Sequence, residues 1–369
     1  MRTIALRFVL AFVVVAGAAA LVIPRLPNQS LPEAASTTST TSPDEASALL
    51  STTTAGLTPP TTTGDAIPTT EPEPTVTFAA GGDLGATERT AEVLTAIGES
   101  AAEFMLAIGD LSYSHIEPES AWCDWVNERI GPDIPMQVVV GNHEDDGGPD
   151  GLIGNFVACL PDRMNSTGKY GVQYFFDIDS TVRIIMLAAD TRVDGEKYNY
   201  DPDSEQEQWL IDAVTGARAA GIQWVIVASH KPCLSVGEKK CESGGHLAQL
   251  LVDLGVDLVL YGHDHNYQRT HQLSCITVNS FDPDCVAAEG NDLSAGDGTV
   301  FVTAGVTGRT GMYKVDPNDS EAGYFADFMG PDHPEAGNGY VEIAATPRSL
   351  ELRFIGVTSD FSDGFIVHK

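Results

Sequence analysis

The sequence predicts an α/β protein, either one mixed sheet or two packed sheets, with helices outside. Three observations carry that expectation. Short Val- and Ile-rich runs bounded by glycine recur along the chain, as buried parallel strands do. Helix-period segments separate these runs, and further strand patterns follow toward the end. Five of the runs also close on a residue able to bind a metal.

Taken in order, the chain opens with two arginines, Arg2 and Arg7, followed by an unbroken apolar run from Phe8 to Ile23. That run lies between the length of a signal-peptide core and the roughly 20 residues of a spanning helix. Residues 1–25 are therefore expected to form a signal peptide, with a small-residue cleavage site at Ala18-Ala19-Ala20, or an N-terminal membrane anchor. Either way the protein is exported, and secreted or held at the outer face of the membrane. Residues 26–75 are dominated by Thr, Ser, Pro and Ala, too little apolar surface to fold, and read as a disordered linker. Residues 76–369 are expected to form one catalytic domain.

The first run of that domain, Val76-Thr-Phe-Ala-Ala-Gly-Gly-Asp83, ends on a carboxylate, and a helical pattern follows from Ala86 to Ile97. Phe104-Met-Leu-Ala-Ile-Gly-Asp110 is the second run, with a helix from Glu119 to Ile130. Met136-Gln-Val-Val-Val-Gly-Asn142 is the third. Strand patterns near Val172–Asp177 and Arg183–Ala188 and a helix from Ser204 to Ala220 lead to Trp224-Val-Ile-Val-Ala-Ser-His230. A helix from His246 to Leu254 precedes Asp257-Leu-Val-Leu-Tyr-Gly-His263, which continues through Asp264 to His265. Thr299–Ala304 reads as another strand, and Gly339–Ala345 with Leu350–Ile355 as a closing hairpin. Ligand crevices of open α/β sheets lie outside the carboxyl ends of the strands. The five ends thus bring two carboxylates, an amide and three imidazoles into one crevice, a donor set suited to metal.

Charge narrows the partners. With 20 basic and 52 acidic residues, the net charge of −32 repels nucleic-acid backbones, so no nucleic-acid scaffold role is expected. A phosphate-bearing substrate would need locally concentrated positive charge, which bound metal ions supply. Membrane attachment is expected, if at all, only through residues 8–23. The six cysteines form an even set, which in an exported chain implies disulfides, and six allow 15 pairings. Close spacing favours Cys233–Cys241 and Cys275–Cys285, leaving Cys123–Cys159.

The strand-end motifs are Gly82-Asp83-Leu84-Gly85, Gly109-Asp110-Leu111-Ser112-Tyr113, Gly141-Asn142-His143-Glu144, Ser229-His230-Lys231-Pro232 and Gly262-His263-Asp264-His265. In this order they resemble the calcineurin-like metallophosphoesterases, and within them the purple acid phosphatases. The resemblance implies a four-layer α/β/β/α sandwich of two mixed sheets flanked by helices. Most members of the superfamily begin Asp-x-His, and that histidine's place is taken here by Gly85. Tyr113 completes the purple acid phosphatase pattern Gly-Asp-x-x-Tyr, and a hard phenolate oxygen favours Fe(III).

By this resemblance Asp83, Tyr113, His265 and a bridging Asp110 would hold Fe(III). Asp110, Asn142, His230 and His263 would hold a divalent ion: Zn, Mn or Fe(II). The implied activity is hydrolysis of small phosphate monoesters by a metal-bound hydroxide, with His143 protonating the leaving group; a phosphodiesterase or nucleotidase on the same core is the alternative. His246 and Arg309, the latter in the Gly-rich turn Gly305-Val-Thr-Gly-Arg309, are expected as further substrate contacts. Tyr267, Gln268 and Arg269 are expected to support the site from below, and Lys239 and Lys240 to lie on a solvated loop. His115, His271, His333 and His368 belong to no motif and read as ordinary core or surface residues. Plant-type members carry an extra N-terminal β-sandwich, so the resemblance is to compact members without it. A non-catalytic module is disfavoured, because every ligand position is present.

Overall fold

The computed structural model describes residues 74–369. The expected leader and almost all of the expected linker lie outside them. Among the described residues no helix is long and apolar enough to cross a membrane.

The first three strands, β1 (Val76–Gly81), β2 (Met105–Ile108) and β3 (Met136–Val139), run parallel. Next come β4 (Thr167–Lys169), β5 (Gln173–Ile178) and β6 (Val182–Leu187), an antiparallel meander. β7 (Trp224–Ser229) and β8 (Leu258–Tyr261) extend it in parallel, and β9 (Tyr267–Thr270) turns back. The other strands of the two large sheets are β10 (Asp292–Ser294), β11 (Val300–Ala304), β12 (Phe325–Met329), β13 (Gly339–Ala345), β14 (Ser349–Gly356) and β15 (Gly364–His368), and two short two-stranded ribbons lie outside them. Two mixed sheets result. One has the order β10-β15-β14-β13-β1-β2-β3 and the other β12-β9-β11-β8-β7-β6-β5-β4.

Side-chain alternation explains the layering. Along β6, Val182, Ile184 and Met186 join the core shared with β1, β2 and β13, while Ile185 and Leu187 join a second core with the two helices that follow β6 and β7. β7 and β8 divide their residues in the same way, Ile226 and Leu260 to one core, Val227 and Val259 to the other. Burial on both faces is why these strands read as unbroken apolar runs. The four-layer expectation is met: helices α1 (Glu88–Glu99), α2 (Glu119–Ile130) and α3 (Ile153–Cys159) accompany the first sheet, and α4 (Glu205–Ala219) and α5 (Gly245–Asp253) the second.

Helix boundaries shift for local reasons. α1 starts two residues later than the pattern suggests because Thr87 caps it, its hydroxyl accepting from Thr90 N in a capping box. Ser204 likewise caps α4 through Glu207 N rather than joining it. α3 has no forecast, being a short helix after a Gly- and Asp-rich loop. The three disulfides are the expected ones, Cys123–Cys159, Cys233–Cys241 and Cys275–Cys285.

Candidate metal centre

The carboxyl ends of β1, β2, β3, β7 and β8 meet, and the residues that follow each strand form one buried cluster. Asp83, Asp110, Tyr113 and His263 all have positive φ, between 50° and 68°, in the left-handed region that non-glycine residues rarely adopt. β1, β2 and β8 therefore turn sharply at their ends and deliver these side chains into the crevice. The turns are tied together: Asp83 N–H donates to Gly109 O at 3.1 Å, and His263 N–H donates to Asp83 Oδ2 at 2.8 Å. Glu144 locks two of the loops. Wholly buried, its carboxylate accepts from Asp110 N at 3.0 Å, Leu111 N at 2.7 Å and Gly141 N at 3.2 Å. Burial, with the Asp110 charge next in effect, pushes its carboxyl up to about 8.

Two groups of potential ligand atoms share Asp110: Asp83, Asp110 and His265 in one, Asp110, His230 and His263 in the other, each group within 4.8 Å. Tyr113 Oη belongs to the first, 3.0 Å from Asp83 Oδ1, 3.1 Å from Asp110 Oδ2 and 3.1 Å from His265 Nε2. Asn142 belongs to the second, its Oδ1 lying 3.2 Å from His230 Nε2, which is also 3.1 Å from Asp110 Oδ1. His230 Nδ1 donates to Ile108 O at 2.8 Å, which leaves Nε2 as the nitrogen available to an ion. His263 Nε2 faces Glu242 Oε2 at 3.1 Å.

These residues fit a pair of cations. Asp83 and Asp110 are 0% and 1% exposed, yet among the described residues neither has a lysine or arginine partner. Buried carboxylates without a cation are costly. One hydroxyl proton on Tyr113 cannot serve two carboxylates and an imidazole at once. Burial, then the Asp83 and Asp110 carboxylates, push its phenol far above the ordinary value, so only a strong cation would let it ionise. Burial alone would raise the Asp110 carboxyl, but the His230 charge and hydrogen bond, aided by His143, carry it well below its usual value. His230 is correspondingly raised to about 9: burial opposes its charge, and Asp110 and then Asp83 outweigh it. The positive charge these carboxylates draw to His230 is one that an ion bound at Nε2 would supply instead.

Beside this cluster sits His143, whose ring lies 4.4 Å from that of Tyr113. Its N–H donates to Asp110 Oδ1 at 3.1 Å, and its Nε2 is 3.6 Å from Asp110 Oδ2. Nδ1 is bonded to Asp150, a carboxylate that sequence reasoning missed. Arg309 also reaches the cluster: its backbone N–H donates to Asp83 O at 2.8 Å, and its guanidinium lies 4.5 Å from the Tyr113 ring centroid. The glycines of its turn are required by close packing, since a Cβ on Gly305 would sit 2.1 Å from Asp264 O. His115, read from sequence as an ordinary residue, stands at the same rim. Its Nδ1 accepts from Ala86 N at 2.9 Å, and burial and the Arg309 charge hold its imidazole below the ordinary value.

His246 is not brought to this group. It is exposed at the start of α5, where its Nε2 pairs with Glu207 at 2.5 Å. Lys240 pairs with Asp319 at 2.9 Å on the loop as expected, and Tyr267, Gln268 and Arg269 are buried beneath the site. Gln268 braces Asp264 and Ser235, while Tyr267 and Arg269 both bind Asp363.

Residues 76–267 match the calcineurin-like phosphoesterases. The chain belongs to that family. Within the family it is similar to purple acid phosphatase 22 of Arabidopsis thaliana, at 30% identity over 204 residues, which covers 53% of this chain and 45% of the relative. An uncharacterised protein of Mycobacterium tuberculosis is 30% identical over 238 residues, covering 59% of this chain and 44% of that one. The chain thus spans less than half the length of these curated relatives. A purple acid phosphatase from yellow lupin seeds matches in structure with a TM-score of 0.63 over 80% of this chain and 54% of that one. At 18% identity that likeness shows the shared phosphoesterase fold. The family implies a dinuclear centre, and the two ligand groups joined at Asp110 match it.

Proposed function

We propose that this chain is an exported acid phosphatase that hydrolyses phosphate monoesters at a dinuclear metal centre. The observation that carries the reading is Asp110 shared between two groups of ligands, one of them including a phenol. In this reading Asp83, Tyr113, His265 and Asp110 hold Fe(III), and Asp110, Asn142, His230 and His263 hold Zn, Mn or Fe(II), as hard and borderline donors favour. Bound there, such ions would neutralise phosphate charge and activate water.

The chain's own residues do the rest. His143 keeps Nδ1 against Asp150, so Nε2, toward Asp110, is the atom free to hand a proton to the leaving oxygen. Arg309 brings a guanidinium to a crevice otherwise rich in carboxylates. Similarity to plant purple acid phosphatases, and to an onion protein named phosphoenolpyruvate phosphatase, supports a phosphatase. Three disulfides support passage through an oxidising compartment.

Metal analysis and a visible spectrum of the wild type and Tyr113→Phe test the centre. A tyrosinate-to-iron band that vanishes in the variant is expected, and a colourless protein holding two divalent ions would refute the iron assignment. Turnover of p-nitrophenyl phosphate should exceed that of its bis ester, and the reverse order would make the protein a diesterase.

A further inference from the structure

Arg309 has no carboxylate partner among the described residues. Its guanidinium stacks on Tyr113, 4.5 Å from the ring centroid, and its side chain makes no hydrogen bond or ion pair among the described residues. The Nε–H is buried and unsatisfied. In a chain of net charge −32 an arginine has abundant carboxylates to choose from, so an unpaired one at the rim of a cleft needs an explanation. Other described arginines are satisfied: Arg183 binds Asp177, Arg218 binds Asp257, Arg269 binds Asp363 and Arg353 binds Glu342, while Arg89, Arg163 and Arg192 donate to amide or carbonyl oxygens.

His115 supplies a second donor. Because Ala86 N–H donates to its Nδ1 at 2.9 Å, that nitrogen is an acceptor and the proton is on Nε2. The ring occupies space left by Gly85, where a Cβ would lie 2.8 Å from His115 Nδ1. His115 is exposed, its ring centroid is 6.1 Å from that of Tyr113, and Nε2 has no protein partner among the described residues. A forked cation and an N–H donor thus flank the same tyrosine, whose Oη faces Asp83 and the shared Asp110. A planar anion suits a guanidinium, which binds carboxylate and phosphate through two parallel N–H bonds.

We propose that Arg309 and His115 form a subsite for a second anionic group, carried by the organic part of the ester, so that the preferred substrates are phosphate esters bearing a carboxylate or a further phosphate. The proposal rests on the phosphatase reading for its substrate but not for its binding chemistry. A matched pair of probes isolates it: glycerol phosphate and phosphoglycerate, both esterified at the terminal carbon, differ by a carboxylate in place of a hydroxymethyl group.

The KM ratio of the two esters should favour phosphoglycerate in the wild type. Arg309→Gln should shrink that preference by about tenfold or more, the worth of a charge-assisted pair. Arg309→Lys, which keeps the charge but not the fork, should restore part of it, and His115→Ala should shrink it less than Arg309→Gln. Calorimetric titration of both esters into the metal-loaded variants reads the same ratio even if neither ester is turned over. Absence of turnover with a retained binding preference would therefore sink the phosphatase reading alone. A wild type without preference, or an Arg309→Gln variant weakened equally toward both esters, overturns the subsite.

Discussion

Gly85 and His115 should be energetically coupled, and a double-mutant cycle measures by how much. Gly85 has φ of 70°, so any other residue there incurs the left-handed penalty, about 1–2 kcal/mol. A Cβ would also stand 2.8 Å from His115 Nδ1 and 2.9 Å from Cε1, closer than real contacts allow. His115 is exposed and can swing aside, so the clash costs no more than the Ala86 N–H to Nδ1 bond it breaks, about 1 kcal/mol. Gly85→Ala should therefore destabilise by about 2–3 kcal/mol in all. His115→Ala alone should cost about 1 kcal/mol for the same bond. In the double variant the bond can be lost only once, leaving a total of about 2–3 kcal/mol rather than 3–4, a coupling of about 1 kcal/mol. Guanidinium unfolding followed by circular dichroism, with metal removed from all four proteins, gives each value. Additivity within about 0.3–0.5 kcal/mol would refute the claim that His115 fills the space above Gly85.

Two further outcomes follow from the site. Asp150→Asn should lower kcat by about ten- to a hundredfold with metal content unchanged, a part of the roughly hundred- to ten-thousandfold that a general acid contributes; loss of metal instead would make Asp150 a prop for the centre. Metal-free protein should lose stability as pH rises from 6.5 to about 9. His230 is raised from 6.5 to about 9, so its stabilising charge is fully present below 6.5 and is lost as pH climbs through the folded value. Glu144, raised from 4.5 to about 8, acts with the same sign. Thermal melts should show the fall in metal-free protein and little of it once an ion replaces the His230 proton; a melting temperature that rises across this window contradicts the assignment.

What was legible in the sequence is what local backbone determines. The five ends were readable because an apolar run buried on both faces must stop at the sheet edge, and the residue after the stop is committed to the crevice. Neighbouring cysteines paired for the same reason, since a short loop leaves few alternatives. Helix starts moved by a residue or two where Thr87 and Ser204 act as caps. The missed groups have the opposite character. Asp150, Glu144 and Glu242 are three carboxylates in a chain with 52 acidic residues; Glu144 and Glu242 acquire their roles from partners on other strand ends, and Asp150 from the way its own loop folds back on His143. His246 misled in the reverse sense: a flexible Gly-Gly before a histidine looks like a loop contact, but Gly245 opens α5 and turns the ring toward α4.

His115 unites the two cases. Its surroundings carry no motif, yet the absence of a side chain at Gly85 was visible from the start and is what admits the ring. In the sequence Gly85 marks, with Tyr113, a change of ligand. Physically it is also a volume released at the edge of a charged crevice, and a volume there does not stay empty when a polar ring can reach it and satisfy a backbone N–H. The turn that carries glycine at this position thereby admits an imidazole at the rim, beside an arginine that no described carboxylate pairs.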